Sequence, residues 1–109
     1  MKTKAMKERE ECLGVKWKDE RDGYFSLICV SPTGLGNVAY IALPKGHPDI
    51  GRDHNELSPE VNGGLTFGEG NVFGWDYMHY QNFGTPEGDI KKAIKYFKSR
   101  WNNEWFSTN

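Results

Sequence analysis

The sequence predicts an α+β domain with a four- to five-stranded antiparallel sheet and one C-terminal helix packed on it. Up to residue 85, short runs rich in β-branched and aromatic residues alternate with glycine-containing turns, which is typical of strands. Beyond that position, apolar residues recur at helical spacing. With 109 residues the chain has the length of a single domain, which we expect to span residues 1–109 with a charged lead-in over 1–11.

Five segments before the helix have the composition of strands. Residues 13–18 form the first, and we expect it to end at a turn over residues 19–23. The others are Tyr24–Val30, Asn37–Leu43, Val61–Phe67, which Gly63 and Gly64 interrupt, and Val72–Tyr80, the longest.

The second strand carries apolar groups on both of its faces. Period-two alternation puts Phe25, Leu27 and Cys29 on one face, and Ile28 and Val30 on the other. We therefore expect one face of the sheet to meet the helix and the other to meet a partner or a second layer.

The helix is predicted to begin at Pro86. Thr85 is a favourable N-cap residue, and proline suits the first helical position. Glu87 and Asp89 suit the positive end of the helix dipole. The apolar stripe that follows is Ile90, Ala93, Ile94, Phe97 and Trp101, and the basic residues of the helix are Lys91, Lys92, Lys95, Lys98 and Arg100. This basic face is either solvated or a contact surface for phosphates.

Composition limits the classes of function. The formal net charge is -1, from 14 basic and 15 acidic residues, which argues against binding to long nucleic acid but leaves room for a small charged ligand. No run of residues has the length and hydropathy of a membrane span. Cys12 and Cys29 follow no apolar leader, so we expect two reduced thiols in a cytoplasmic protein.

All three histidines, His47, His54 and His79, lie in the middle third of the chain. Histidine titrates near neutral pH and ligates metals, and Asp49, Asp53 and Asp76 are nearby carboxylates. No compact metal-binding spacing is present, however, and hydrogen bonding to the backbone is the favoured interpretation.

The same region holds a glycine pair and a run of aromatic residues. Gly63-Gly64 forms either an anion-binding nest or a bend, and the bend is favoured. The strand face that carries Phe73, Trp75 and Tyr77 is either core or a stacking platform, and core is favoured. Tyr80 and Phe83 lie just beyond this strand and are better candidates for stacking on a ligand.

Three blocks of the central third follow a recurrent pattern. They contain Pro44, His47, Pro48 and Gly51, then Val61 and residues 63–67, then residues 73–76 and His79. This arrangement resembles a widespread family of small phage and bacterial proteins, mostly without assigned activity, whose pattern is P-x-x-H-P-x-x-G, V-H-G-G-L-T-[FY] and F-G-[FW]-D-x-x-H-x-x-D. The resemblance implies strands followed by one helix. The pattern is specific enough to indicate membership of the family, but it does not specify a function.

Two positions depart from the family pattern. Asn62 stands where the family has a histidine, and Asn82 stands where it has an aspartate. Amides are poor ligands for zinc-like ions but good hydrogen-bond partners for a base or a ribose. These departures from the family pattern favour ligand binding over metal-dependent hydrolysis.

The leading hypothesis is a non-enzymatic, phage-encoded protein that sequesters a small anionic ligand. By analogy with phage sponges of similar size, the ligand would be a nucleotide signal of bacterial immunity. We expect no catalytic residue, metal or other cofactor, and we expect a homo-oligomer because so small a chain offers little concave surface. The predicted ligand-binding residues are His47, Arg52, Asn62, Gly63, Gly64, Asp76, His79, Tyr80 and Phe83.

Two other hypotheses stay open. A metal-dependent hydrolase would use Asp76, His79 and His47. A protein–protein inhibitor would act through the aromatic surface Trp101–Phe106.

Overall fold

The computed structural model confirms the α+β class. It describes residues 6, 14–31, 34, 36–78 and 83–108, with residues 102–108 described by their backbone alone. A five-stranded antiparallel sheet in the order β1-β2-β3-β5-β4 carries a C-terminal helix on one face. The elements are β1 (Gly14–Arg21), β2 (Tyr24–Val30), β3 (Asn37–Ala42), β4 (Phe67–Glu69), β5 (Val72–Asp76) and α1 (Pro86–Thr108).

The first strand is longer than the sequence predicts. The turn expected over residues 19–23 is wrong, because β1 continues to Arg21 and the turn consists of Asp22 and Gly23 alone. Their φ angles, 55° and 86°, are those of a type I′ turn, the tight hairpin turn that an Asp-Gly pair favours. The charged residues of β1 are tolerated there because the strand lies at the edge of the sheet and is mostly exposed.

The fourth and fifth strands are shorter than predicted. The strand expected over Val61–Phe67 is wrong, since the chain turns at Asn62-Gly63 and β4 begins only at Phe67. The N–H of Gly64 donates to the carbonyl of Val61 at 3.0 Å, and φ of Gly63 is 71°, which together indicate a type II turn.

The strand predicted over Val72–Tyr80 ends at Asp76. Oδ1 of Asp76 accepts the N–H of Met78 at 3.2 Å, which turns the chain away from the sheet direction. Residues 79 and 80 lie outside the described residues. The longest strand described is therefore β1, with eight residues.

Two hydrophobic clusters lie on the two faces of the sheet, as the sequence of β2 predicts. The helix-side cluster contains Tyr24, Ile28, Ala39, Ile41, Leu43, Leu57, Leu65, Phe73, Trp75, Ile90, Ala93, Ile94 and Phe97. The opposite cluster contains Met6, Leu27, Cys29, Tyr40, Ala42 and Val72. Met6 and Cys29 are both fully buried in this cluster. Cys12 lies outside the described residues.

The start and the packing of α1 agree with the sequence. Oγ1 of Thr85 accepts the N–H of Gly88 at 3.1 Å, which confirms Thr85 as the N-cap. The predicted stripe is buried from Ile90 to Phe97, and the ring of Phe97 stacks on Phe73 with centroids 5.6 Å apart. Within the part of the chain that the structure describes, no helix is long and apolar enough to cross a membrane.

Candidate ligand-binding site

Three predicted site residues, Asn62, Gly63 and Phe83, come together around one cavity of about 270 Å³ beside the start of α1. Phe83 is 70% exposed, the largest exposure among the large hydrophobic residues of the described chain. The remaining lining residues are Glu60, Val61, Gly84, Asp89 and Lys92. We refer to this space as the Phe83 cavity.

The buried side chain of Asn62 organises the wall of the Phe83 cavity. Its Oδ1 accepts the N–H of Phe83 at 2.7 Å, and its Nδ2 donates to the carbonyl oxygen of Asp76 at 3.0 Å. One amide thus joins the end of β5 to the segment that precedes α1. Because both ends of the amide have protein partners, its role here is to hold Phe83 in place.

A hydrogen-bonded chain fixes the start of α1 against β5. Oδ2 of Asp89 accepts the hydroxyl of Tyr77 at 2.5 Å and the backbone N–H of Asn62 at 3.1 Å. The Tyr77 oxygen in turn accepts the indole N–H of Trp75 at 3.0 Å. Burial and the hydrogen bond to Asp89 raise the pKa of Tyr77, so its hydroxyl stays a neutral donor. Asp89 lies in the first turn of α1, where the helix dipole favours a negative charge.

His47 lies elsewhere, in the loop after β3, and both of its ring nitrogens are used by the backbone. Nε2 lies 2.7 Å from the carbonyl oxygen of Phe97, and Nδ1 accepts the N–H of Asp49 at 3.0 Å. A carbonyl only accepts and an amide only donates, so the ring is the neutral tautomer with its proton on Nε2. Burial lowers the pKa of His47, although the Phe97 carbonyl and Asp49 oppose that shift. The imidazole therefore has no nitrogen left for a metal.

Arg52, another predicted site residue, pairs with a buried carboxylate beside His47. Asp49 is 1% exposed and forms a two-pronged ion pair with Arg100, with Nε–Oδ2 at 2.6 Å and a second contact at 2.9 Å. Arg52 adds a longer contact of 3.4 Å. Burial raises the pKa of Asp49, but the hydrogen bonds and charge of Arg100 outweigh it, and the net pKa is lowered.

This charged cluster lies at the other end of the sheet from the Phe83 cavity. Gly51, next to Arg52, donates its N–H to Gly70 in the turn between β4 and β5, whereas Asp76 ends β5 on the side of Asn62. The structure thus separates His47 and Arg52 from Asn62, Gly63, Gly64, Asp76 and Phe83.

The hydrolase hypothesis requires His47 and Asp76 to meet, and the structure places them at opposite ends of the β3–β5 pair. In the described ranges, no three His, Cys, Asp or Glu side chains are close enough to hold a metal ion. The hypothesis also uses His79, which lies outside the described residues, as do the stacking candidate Tyr80 and the departure at Asn82.

The inhibitor hypothesis depends on the aromatic side chains at the end of α1. Trp101 is partly buried, with its ring centroid 5.1 Å from that of His47. The side chains of Trp105 and Phe106 lie outside the described residues.

The F-G-W-D block of the family pattern has a packing role. Phe73 and Trp75 are fully buried in the helix-side cluster. Between them, Gly74 lies under the ring of Tyr40, and a Cβ at this position would be 2.7 Å from Cδ1 of that ring. Phe73 and Trp75 thus fill the helix-side cluster, and Gly74 makes room on the other face of β5 for Tyr40 of the opposite cluster.

A second cavity, which the sequence does not predict as a unit, lies between α1 and the end of β1. It measures about 480 Å³, and its lining residues are Arg21, Lys91, Ile94, Lys95, Lys98 and Ser99. The spacing of the helix lysines indicates a basic face, but no local signal connects them with Arg21, which precedes them by some seventy residues.

Comparison of the chain with protein-family models, with curated proteins and with solved structures finds no match. The family resemblance of the central third therefore stays a prediction.

Proposed function

We propose that the protein is a non-enzymatic binding protein that captures a small anionic ligand carrying a planar ring, such as a nucleotide. The proposal rests on the exposed ring of Phe83, which lies on the wall of a cavity. The backbone of Phe83 is anchored there by the buried side chain of Asn62. A solvent-exposed aromatic ring can serve as a stacking platform, and stacking of one base contributes about 1–3 kcal/mol.

The dimensions of the Phe83 cavity suit a ring better than a whole nucleotide. Its volume is about 270 Å³, at the lower limit of the range of about 300–1,000 Å³ that is typical of ligand pockets. The ring would lie against Phe83, and the rest of the ligand would project over the rim. Gly63 is exposed at that rim and presents backbone without a side chain, which permits close approach.

The charges of the lining limit the ligand to one anionic group, which Lys92 would contact. Lys92 is the single cation among the lining residues, and Glu60 and Asp89 carry negative charges. The carboxylate of Asp89 is already occupied by Tyr77 and Asn62. A nucleoside monophosphate or a cyclic nucleotide, which has one phosphate group, suits these charges better than a triphosphate does.

Two finer parts belong to the proposal, the first supported by the sequence and the second by the cavity. The resemblance of the central third and the size of the chain support a phage-encoded protein that sequesters a nucleotide signal of bacterial immunity. The shallow cavity supports a homo-oligomer, in which a second chain would cover the ring of Phe83.

Isothermal titration calorimetry of the full chain tests the proposal. The ligands are AMP, cyclic AMP and ADP-ribose, compared with ribose 5-phosphate, which has the phosphate but no aromatic ring. We expect at least one ring-bearing ligand to bind more tightly than ribose 5-phosphate, and to stabilise the fold by about 2.7 kcal/mol at a hundredfold excess over its Kd. The ligand should be recovered unchanged by chromatography, and its turnover would contradict a non-enzymatic role.

Phe83→Ala and Ile50→Ala form a matched pair of variants. Both remove an exposed hydrophobic side chain, but Ile50, 38% exposed, lies near the β4–β5 turn at the other end of the sheet. We expect Phe83→Ala to weaken binding by about tenfold or more and Ile50→Ala to leave it unchanged. Absence of binding by every ring-bearing ligand, or equal affinity of the two variants, would refute the proposal.

A further inference from the structure

The cavity between α1 and the end of β1, here called the basic groove, is lined mainly by cationic side chains. Four of its six lining residues, Arg21, Lys91, Lys95 and Lys98, carry a positive charge at neutral pH. Ile94 and Ser99 supply the remaining surface. A cleft lined by one sign of charge concentrates ions of the opposite sign.

The basic groove is separate from the Phe83 cavity. Lys91, Lys95 and Lys98 recur at i, i+4 and i+7 and so share one flank of α1, the flank that faces β1. Lys92, which lines the Phe83 cavity, lies about 100° from Lys91 and about 60° from Lys95 around the helix. The two cavities have no lining residue in common.

The positive charges of the basic groove are only partly balanced. Lys98 pairs with the exposed Asp22, and Arg21 lies 3.7 Å from Asp19. Among the residues that the structure describes, Lys91 and Lys95 form neither an ion pair nor a hydrogen bond. Like charges four residues apart repel each other on a helix, so an anion bound between them would relieve this repulsion.

Two observations indicate a compact, soluble polyanion rather than a macromolecule or a membrane. The net charge of the whole chain is -1, whereas nucleic-acid-binding proteins usually carry a clear excess of basic residues. Among the described side chains, the large exposed hydrophobic residues lie outside the groove, so the groove itself offers none of them to a lipid surface: Val15, Val30, Ile50, Met78 and Phe83.

We infer that the basic groove is a second binding site, independent of the Phe83 cavity, for contiguous phosphates, either in inorganic polyphosphate or in the polyphosphate part of a small molecule. Three or four closely spaced cations match the charge of such a chain, and orthophosphate would engage only some of them. The hydroxyl of Ser99 offers a neutral donor beside the lysines.

Calorimetric titration of the full chain with inorganic tripolyphosphate and with orthophosphate tests the inference. We expect tripolyphosphate to bind more tightly by about tenfold or more, and its affinity to fall with added salt. The double variant Lys91→Gln/Lys95→Gln should lose about tenfold or more of that affinity. A matched double variant, Lys16→Gln/Lys18→Gln, removes the same charge from β1, and it should keep the wild-type affinity.

Several outcomes would overturn the inference. They are absence of tripolyphosphate binding, equal affinity for orthophosphate, and equal losses in the two double variants. Tighter binding of duplex DNA or of vesicles with phosphorylated lipid headgroups would identify a macromolecular or membrane partner instead. Phe83→Ala should bind tripolyphosphate as the wild type does, so failure of the nucleotide proposal and failure of this inference are distinguishable. The four lysines that the double variants replace, Lys16, Lys18, Lys91 and Lys95, are all exposed. Circular dichroism checks that both double variants fold.

Discussion

The side-chain amide of Asn62 holds the backbone of Phe83, since its Oδ1 accepts the N–H of Phe83 at 2.7 Å. The same amide reaches back to the carbonyl of Asp76 at the end of β5. The position of the most exposed aromatic ring in the described chain is thus set by a residue that is itself 6% exposed. Because this backbone position is already fixed, a ligand that stacks on the ring has only the side chain to order.

Replacing Asn62 by alanine should therefore affect both stability and binding. The variant leaves two backbone groups without their partner, at a cost of about 1–3 kcal/mol that urea denaturation would measure. Ligand affinity at the Phe83 cavity should fall as well, because the ring is no longer fixed. Asn55→Ala is the control, since Asn55 is exposed and only its backbone N–H forms the observed bond to Asp53. A variant Asn62→Ala as stable as Asn55→Ala would contradict the organising role.

Tyr77→Phe should destabilise the junction between β5 and α1. The substitution removes the donor to Asp89 and leaves the indole N–H of the buried Trp75 without its acceptor. The expected loss is about 1–3 kcal/mol in the free energy of unfolding. Tyr96→Phe is a matched control, because its hydroxyl accepts only the N–H of the exposed Ser58, which water can replace. Equal losses in the two variants would show that the chain from Trp75 to Asp89 adds nothing.

Local signals account for the parts of the fold that the sequence predicts well. The boundaries of β2 agree because its apolar and aromatic residues are continuous between two turns. The start of α1 agrees because Thr85 and Pro86 are favoured at the N-cap and first helical positions. The end of β1 was predicted too early, since charged residues usually mark a turn but are tolerated on an edge strand. The Asp22-Gly23 pair was the signal that located this turn.

The candidate site was predictable only where its residues follow from nearby sequence. Asn62 and Gly63 are adjacent, and Phe83 follows the strand that Asn62 caps. His47 and Arg52 were grouped with them because they lie in the same third of the chain. The contacts that define their surroundings are remote, however: Phe97 is 50 residues from His47, and Arg100 is 51 residues from Asp49, the carboxylate that Arg52 also contacts. No local pattern specifies such long-range contacts, and they place these two residues in a structural cluster.

Gly74→Ala should destabilise the sheet through a specific overlap with Tyr40. A Cβ on residue 74 would lie 2.7 Å from the Tyr40 ring and 3.0 Å from the carbonyl oxygen of Ala39. Overpacking of this kind typically costs about 1–3 kcal/mol. Shortening the neighbour in Tyr40→Leu should relieve part of the overlap, so the double variant should lose less stability than the sum of the single variants. Additive losses in urea denaturation would contradict a direct contact.

Asp49→Asn should destabilise the protein more than Asp22→Asn does. Asp49 is buried and is shared by two partly exposed arginines, and hydrogen bonds to a charged group typically contribute about 1.5–3 kcal/mol. Asp22 pairs with Lys98 at the surface, where water and salt screen the charges. Thermal unfolding of the two variants at low and at high salt makes the comparison. A greater loss in Asp22→Asn, or a strong salt dependence of the Asp49→Asn effect, would contradict the buried pairing.

Stability should fall as the pH drops below 6.5, and His47 should be responsible for part of this loss. Burial lowers the pKa of His47 in the folded state below its ordinary value of 6.5, so in this range the unfolded chain binds more protons than the folded chain. The free energy of unfolding then decreases with decreasing pH until the folded-state pKa is passed. The stabilisation by Asp49 is present throughout this window and adds no pH dependence there, because its lowered pKa places the loss near and below its ordinary value of 3.8. His47→Gln should therefore show a shallower loss of stability between pH 7.5 and pH 5 than the wild type in urea denaturation. A slope in His47→Gln as steep as that of the wild type would mean that the buried imidazole is not the group that titrates.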